Sequence, residues 1–497
     1  GMKVPVWGWD EPGSKVTVSF AGQEMQATVS PDGSWRVDLE PLTASAEAQP
    51  LVVKNSAGET LTRNGVLVGE VWLASGQSNM DWLAGKSNCN TLVREVGAAK
   101  SPIREYTVDT GSALFPGSRA ESEEGWKGPE KAGNFSALAL AFAAEIQREL
   151  GVPVGILRAS HGATPVETWS AYGGFAAHPD LQDIARLIRE SDPGTPEGQA
   201  AYASYYKEVE AWLAESGKLV EKGGQPLPRP KLPGIAGDWK GASRMHNKKV
   251  APLIPFAIRG VIWCQGEHNS GDGKIYAAKM EALLNGWRKL WDKPGLPFYF
   301  TQLQCYGDPN PDQVGFADAR EAQTLFYKNN EHVGMAVQTD LNPARPQGIH
   351  PYNKLDPGKR MARWALAHEY GKSDLAFIGP MYESHEIKDG KVRVKFTQRG
   401  PGGGLMVGSK GMEADAKNSP DAFVEPARET QGEPLQHFRV AGKDRIWHAA
   451  KAVIEGDEVV VSCPEVPEPA GVQFAYSGSP IGANLCNRAG LPAIPFA

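Results

Sequence analysis

Gly69-Glu70-Val71-Trp72-Leu73-Ala74-Ser75-Gly76-Gln77-Ser78-Asn79-Met80 is the stretch on which the reading of this chain turns. A short apolar run closed by a glycine reads as a buried parallel strand. Ser78 and Asn79 then stand where a strand hands over to a helix. In an open α/β sheet that position is the carboxyl edge, where ligands bind. A serine there can act as a nucleophile, with backbone N–H groups of the following turn facing an oxyanion. Read alone, it is more often an ordinary helix N-cap. The rest of the chain decides between the two.

Working outward from Gly69, strand and helix patterns alternate. Strands are predicted at Val71–Ala74, Val154–Arg158, Gly260–Cys264, Phe298–Gln302 and Gly334–Thr339. Amphipathic helices are predicted at Ser136–Leu150, Ile275–Trp291, Asp318–Tyr327 and Gly358–Tyr370. Alternation of this kind implies an α/β fold with a doubly wound, mostly parallel sheet. Functional side chains then belong to the loops after the strands. Residues 176–245 interrupt the order with a helix pattern over Gln199–Val220 and a Pro/Gly-rich linker from Gly223 to Gly234. This segment reads as an insertion beside the site, either a substrate-covering arm or a solvated excursion.

The flanks read differently. Residues 3–67 hold short runs of alternating type separated by turns such as Glu11-Pro12-Gly13 and Pro31-Asp32-Gly33, a β-sandwich-like pattern. Residues 376–497 return to glycine-spaced β runs, including Val392–Phe396 and Val459–Ser462, which predicts a second β-sandwich-like unit. The expected division is thus 3–67, 68–375 and 376–497.

The chain has 497 residues and a net charge of −6, so it offers no basic field for nucleic acid. No apolar run approaches the roughly 18 residues of a membrane span. Fourteen Trp and 56 Gly suit β-rich parts and aromatic-lined pockets. Five scattered cysteines carry no metal-ligand spacing, so neither a zinc site nor a dense disulfide framework is expected. No cofactor or metal is called for. Gly1-Met2 reads as an expression scar. The expected location is periplasmic or extracellular, with any leader already absent; the cytoplasm is the alternative.

Three other strand ends carry chemistry. Gly162 lies in the loop after Val154–Arg158, where a glycine lets a backbone N–H approach a reacting oxygen. Gln265 and Glu267 follow Gly260–Cys264; the first can donate to an oxyanion and the second can orient a histidine. Asp340 and His350 follow Gly334–Thr339. A serine hydroxyl needs a base in hydrogen-bond reach, and the base needs an orienting group. Ser78, His350 and either Glu267 or Asp340 supply that set, with His350 in the pKa range a general base requires.

At these residues the sequence resembles the bacterial sialate O-acetylesterase family, within the SGNH-type carbohydrate acetylesterases. Gly69–Met80 is similar to that family's nucleophile block. Thr164–Trp169, Gly260–Asn269 and Ile349-His350-Pro351 with Asn353-Lys354 resemble three further blocks in order, and Asn484–Ala493 resembles the closing signature. The resemblance implies a serine esterase that removes O-acetyl groups from carbohydrates. In that reading Ser78 is the nucleophile and His350 the base. The Ser78 and Gly162 N–H groups with Gln265 form the oxyanion hole. Gln77, Asn79, His268, Asn269 and Asn247 line the substrate pocket. Gly348 stands where the family often has Asp, and the Asp340–His350 segment looks longer than usual, which favours Glu267 as the acid with Asp340 as fallback. Ala163, Cys264 and His268 also depart from the family pattern. Acetylxylan or another polysaccharide is the alternative substrate, and a decayed carbohydrate-binding protein the alternative class.

Overall fold

The stretch Glu70–Gly76 forms the middle strand of a seven-stranded sheet. In chain order the strands of that sheet are β1 (Glu70–Gly76), β2 (Ile103–Thr107), β3 (Trp126–Lys127), β4 (Val154–Ser160), β5 (Gly260–Cys264), β6 (Phe298–Thr301) and β7 (Val333–Ala336). Their spatial order is β7-β6-β5-β1-β4-β2-β3. All neighbours run parallel except the edge pair β2/β3. The chain therefore builds outward on one side of β1, returns to it with β4, and then builds the other side from β5. Strand order reverses at β1, and such a switch point opens a crevice at the carboxyl ends of the strands. The structure is a computed structural model that describes residues 1–308, 310–341, 348–410 and 426–497. Residues 342–347 of the Asp340–His350 segment, and 411–425 of the C-terminal stretch, lie outside it.

The sheet is apolar throughout its centre. Trp72, Leu73 and Ala74 of β1 and Val261, Ile262 and Trp263 of β5 are fully buried. Helices Ala137–Leu150, Ile275–Leu290, Ala317–Asn329 and Leu355–His368 pack on it. The Ser136 side chain accepts from Ala139 N and caps the first of these, and Gly151 ends it in the left-handed region. Beside the sheet, helix Pro196–Glu221 packs on helix Gln182–Glu190. No helix among the described residues is long and apolar enough to cross a membrane.

The N-terminal residues pair Val4–Trp9 with Ser34–Leu39, and stack Gln23–Thr28, Lys15–Phe20, Ser45–Asn55 and Thr60–Val68 into a four-stranded antiparallel sheet. Their small core is Val16, Val18, Val29, Trp35 and Val37. From Met381 on, the described residues form one four-stranded and two three-stranded sheets around Val392, Val394, Phe438, Val459, Val461 and Phe474. This part grips the central region. The buried Arg320 guanidinium donates to the Ser477 and Gly478 carbonyls, and also to the Gln304 carbonyl at 3.0 Å. Lys410 pairs with Asp356, in the first turn of the helix Leu355–His368.

Candidate active site

Strand β1 ends at Gly76, and only glycine fits there. Its φ is +135°, and a Cβ would stand 2.1 Å from the Cys264 carbonyl oxygen of β5. Gln77 N–H then bonds that same carbonyl at 2.9 Å, which fixes where the next residue emerges. That residue is Ser78, the first of a one-turn helix, Ser78–Asp81.

Ser78 meets His350 across 272 positions of chain: His350 Nε2 lies 2.8 Å from Ser78 Oγ. The imidazole is stacked on Trp82, with ring centroids 5.0 Å apart and 26° between planes. The loop that carries it is pinned at the Ile349 carbonyl, which accepts from Asn79 Nδ2 at 3.1 Å and Gln304 Nε2 at 3.0 Å. Both amides also donate to Glu267 Oε1, Gln304 at 3.1 Å. The other oxygen, Glu267 Oε2, is buried without a hydrogen-bond partner among the described residues. Glu267 makes no ion pair with His350 among the described residues, yet its charge raises the His350 pKa. Burial, first, and the Lys354 ammonium, second, outweigh it and hold that pKa below the ordinary value. Lys354 is itself buried, donates to Asn79 Oδ1 at 2.8 Å and to the Pro351 carbonyl, and has its pKa pushed down to about 8 by burial.

Asp340 is engaged elsewhere. Both of its oxygens accept from the buried Arg360 guanidinium, at 2.7 and 2.6 Å. It makes no bond to His350 among the described residues.

Gly162 borders Ser78: a Cβ built on it would lie 3.5 Å from Ser78 Cβ. Its N–H serves no backbone hydrogen bond among the described residues. Gln265 differs from expectation. Its amide donates to the Thr164 carbonyl at 3.2 Å and to Asn269 Oδ1 at 2.7 Å, and its own oxygen accepts from Tyr276 Oη at 2.8 Å. Both protons are used, so Gln265 has none to offer an oxyanion. It instead ties the loop of Gly162 to β5.

Three residues expected to line the pocket are buried ties as well. Asn79 joins Glu267, Ile349 and Lys354. Asn269 donates to Glu167 and Asp272 and accepts from Val166 N and Gln265. Asn247 donates to the Leu114 carbonyl at 2.8 Å. Gln77 is buried with its oxygen 3.5 Å from Gly266 N, and His268 is exposed. Trp82 and Gln304 carried no motif in the sequence. The signal available for Gln304 was the alternation Gln302-Leu303-Gln304 just past the end of β6.

Residues 239–365 match the family model described as "Carbohydrate esterase, sialic acid-specific acetylesterase". The rat sialate O-acetylesterase is 27% identical over 426 residues, covering 77% of this chain and 73% of that protein. The human sialate O-acetylesterase is 26% identical over 416 residues, covering 77% and 70%. A solved carbohydrate acetylesterase from Xanthomonas citri superposes with a TM-score of 0.75 at 28% identity, covering 99% of this chain and 95% of its own. Fold, serine–histidine pair and relatives together define a carboxylic ester hydrolase of the carbohydrate acetylesterase class. Within that class the chain is similar to the sialate O-acetylesterases.

Proposed function

We propose that this is a serine esterase working through an acetyl-enzyme on O-acetylated sialic acids or the glycans that carry them. In this reading residues 68–375 are an SGNH-hydrolase-like, doubly wound domain with an insertion at 176–245, flanked by β units at 3–67 and 376–497. The observation that carries it is the 2.8 Å contact between His350 Nε2 and Ser78 Oγ. Ser78 Oγ attacks the acetyl carbonyl carbon while His350 Nε2 takes the hydroxyl proton. The tetrahedral oxyanion is held by the Ser78 and Gly162 N–H groups, each donor typically worth about 3 kcal/mol of barrier. His350 returns the proton to the leaving sugar oxygen. A water, deprotonated by His350, then attacks the acetyl-enzyme, and acetate leaves as the bond to Ser78 Oγ breaks and His350 hands that oxygen the proton. Glu267 stabilises the imidazolium that forms in both halves, and its unpartnered oxygen supports that role over Asp340.

The test is acetate release across O-acetylated sialic acids, acetylated xylan and other acetylated polysaccharides. Ser78→Ala is expected to abolish release on every substrate and to leave the melting temperature unchanged. Retained release in that variant would overturn the mechanism. Release from xylan alone would move the substrate.

A further inference from the structure

The insertion returns to the site at residues 235–245, and it does so on a fixed path. Ile235 N–H bonds Ser191 Oγ at 2.6 Å, and Ala242 is buried with Phe175, Leu181 and Ala185. Beyond it, Ser243 N–H bonds the Glu167 carbonyl at 2.9 Å and Met245 N–H bonds Thr168 Oγ1 at 3.1 Å. Between these anchors the chain makes two tight turns, Asp238 N–H to the Ile235 carbonyl and Gly241 N–H to the Asp238 carbonyl, both at 3.0 Å. Trp239 sits at the tip. Although its backbone is held on both sides, 48% of its surface is open.

Trp239 also touches the loop that borders Ser78. Its ring meets His161 edge to face, with centroids 5.4 Å apart and 89° between planes. His161 N–H bonds the Gly76 carbonyl at 3.1 Å, and the next residue is Gly162, against Ser78. Lys240 Nζ lies 4.9 Å from the centre of the Trp239 ring. Single exposed apolar residues are normal on protein surfaces. An exposed indole held by anchors on both sides and touching the residue beside Gly162 is a different object. The C–H bonds on one face of a pyranose ring present apolar surface with partial positive charge, which matches the electron-rich face of an indole. Binding sites of this kind combine one such aromatic wall with a few polar groups.

We propose that Trp239 is the platform on which the sugar ring of the substrate stacks, so that the tip of the insertion sets glycan preference. The proposal rests on the carbohydrate acetylesterase reading of the Ser78 site. It is tested with Trp239→Ala and Trp239→Phe on two esters: the O-acetylated sialoside or acetylated xylo-oligosaccharide that the wild type cleaves, and 4-nitrophenyl acetate, which has no sugar. Relative to wild type, the ratio of kcat/KM on glycan to kcat/KM on 4-nitrophenyl acetate is expected to fall at least tenfold in Trp239→Ala, through KM, and to recover most of that in Trp239→Phe. Calorimetry of the same glycan on Ser78→Ala should give a Kd at least tenfold tighter than on Ser78→Ala with Trp239→Ala. An unchanged ratio, or equal Kd values, would overturn the platform while leaving the esterase reading intact. A wild type that cleaves 4-nitrophenyl acetate but no acetylated glycan would overturn both.

Discussion

Gln304 donates its amide to Glu267 Oε1 at 3.1 Å, and Asn79 donates to the same oxygen from a different strand end. One carboxylate oxygen is thereby saturated and the other left over. The same two amides hold the carbonyl just before His350, so Glu267 and the loop that carries His350 share their supports.

That sharing separates the two candidate acids. Glu267→Gln keeps the shape but removes the charge that stabilises an imidazolium, so kcat is expected to fall by about 10²–10⁴ with little change in stability. Asp340→Ala leaves the Arg360 guanidinium buried without its carboxylate. Its expected signature is a stability loss of about 3–5 kcal/mol in denaturant titration. The kcat of the folded fraction should stay near wild type. A large kcat loss in Asp340→Ala with unaltered stability would reverse the assignment.

Gln265 and Gly162 make the second pair. With both amide protons taken by Thr164 and Asn269, Gln265→Ala should act on stability, at about 1–3 kcal/mol for each buried group left unsatisfied. Its kcat should fall by less than the roughly 10²–10³ expected on losing a direct oxyanion donor. Gly162→Ala should do the reverse. Its φ does not require glycine, but the new methyl stands against Ser78 where the acetyl group must approach. Misplacing the reacting atoms by about an ångström costs on the order of 10²-fold, so kcat/KM should drop while the melting temperature holds.

Trp82 gives a smaller and cleaner effect. It stacks on His350 and touches neither Ser78 nor Glu267 by hydrogen bond. Losing an aromatic pair costs about 0.5–1.5 kcal/mol. Trp82→Ala is therefore expected to lower kcat roughly two- to tenfold, and Trp82→Phe to restore most of it.

The sequence announced the strands that are apolar. Gly260–Cys264 came with both ends correct, and β1, β4, β6 and β7 to within a few residues, because a strand buried on both faces must be a continuous apolar run. It hid β2, whose Ile103-Arg104-Glu105-Tyr106-Thr107 looks like surface. Glu105 is fully buried there because Lys127 lies 3.1 Å from it, Arg158 at 3.5 Å adds charge, and Ser136 N–H donates to it. The partners that make the burial possible are remote in sequence. The same limit applied at the site. Ser78 and His350 were singled out from strand-end loops and motif blocks, and the fold brings the two side chains together. What Asn79, Asn269 and Gln265 do was not, since an amide in a motif reads the same whether it faces a ligand or a carbonyl. Gln304 and Trp82 matter only through where the fold places them.

The pH dependence follows from burial and two charges around one imidazole. In the proposed mechanism His350 takes a proton only when neutral, so kcat/KM should rise with pH and level off once the pH exceeds its pKa. Burial and Lys354 place that pKa below the usual value of about 6.5, so the acid limb should fall below it too. Lys354, with its own pKa near 8, stays charged through the whole limb. Removing the cation in Lys354→Met should therefore move the limb to higher pH. Removing the anion in Glu267→Gln should move it to lower pH, because Glu267 is the one of the three influences that favours the protonated ring. Measured as kcat/KM on 4-nitrophenyl acetate from pH 4.5 to 8, the two variants should shift in opposite directions. Shifts of the same sign, or none in either variant, would mean that the titrating group is not His350 in this electrostatic setting.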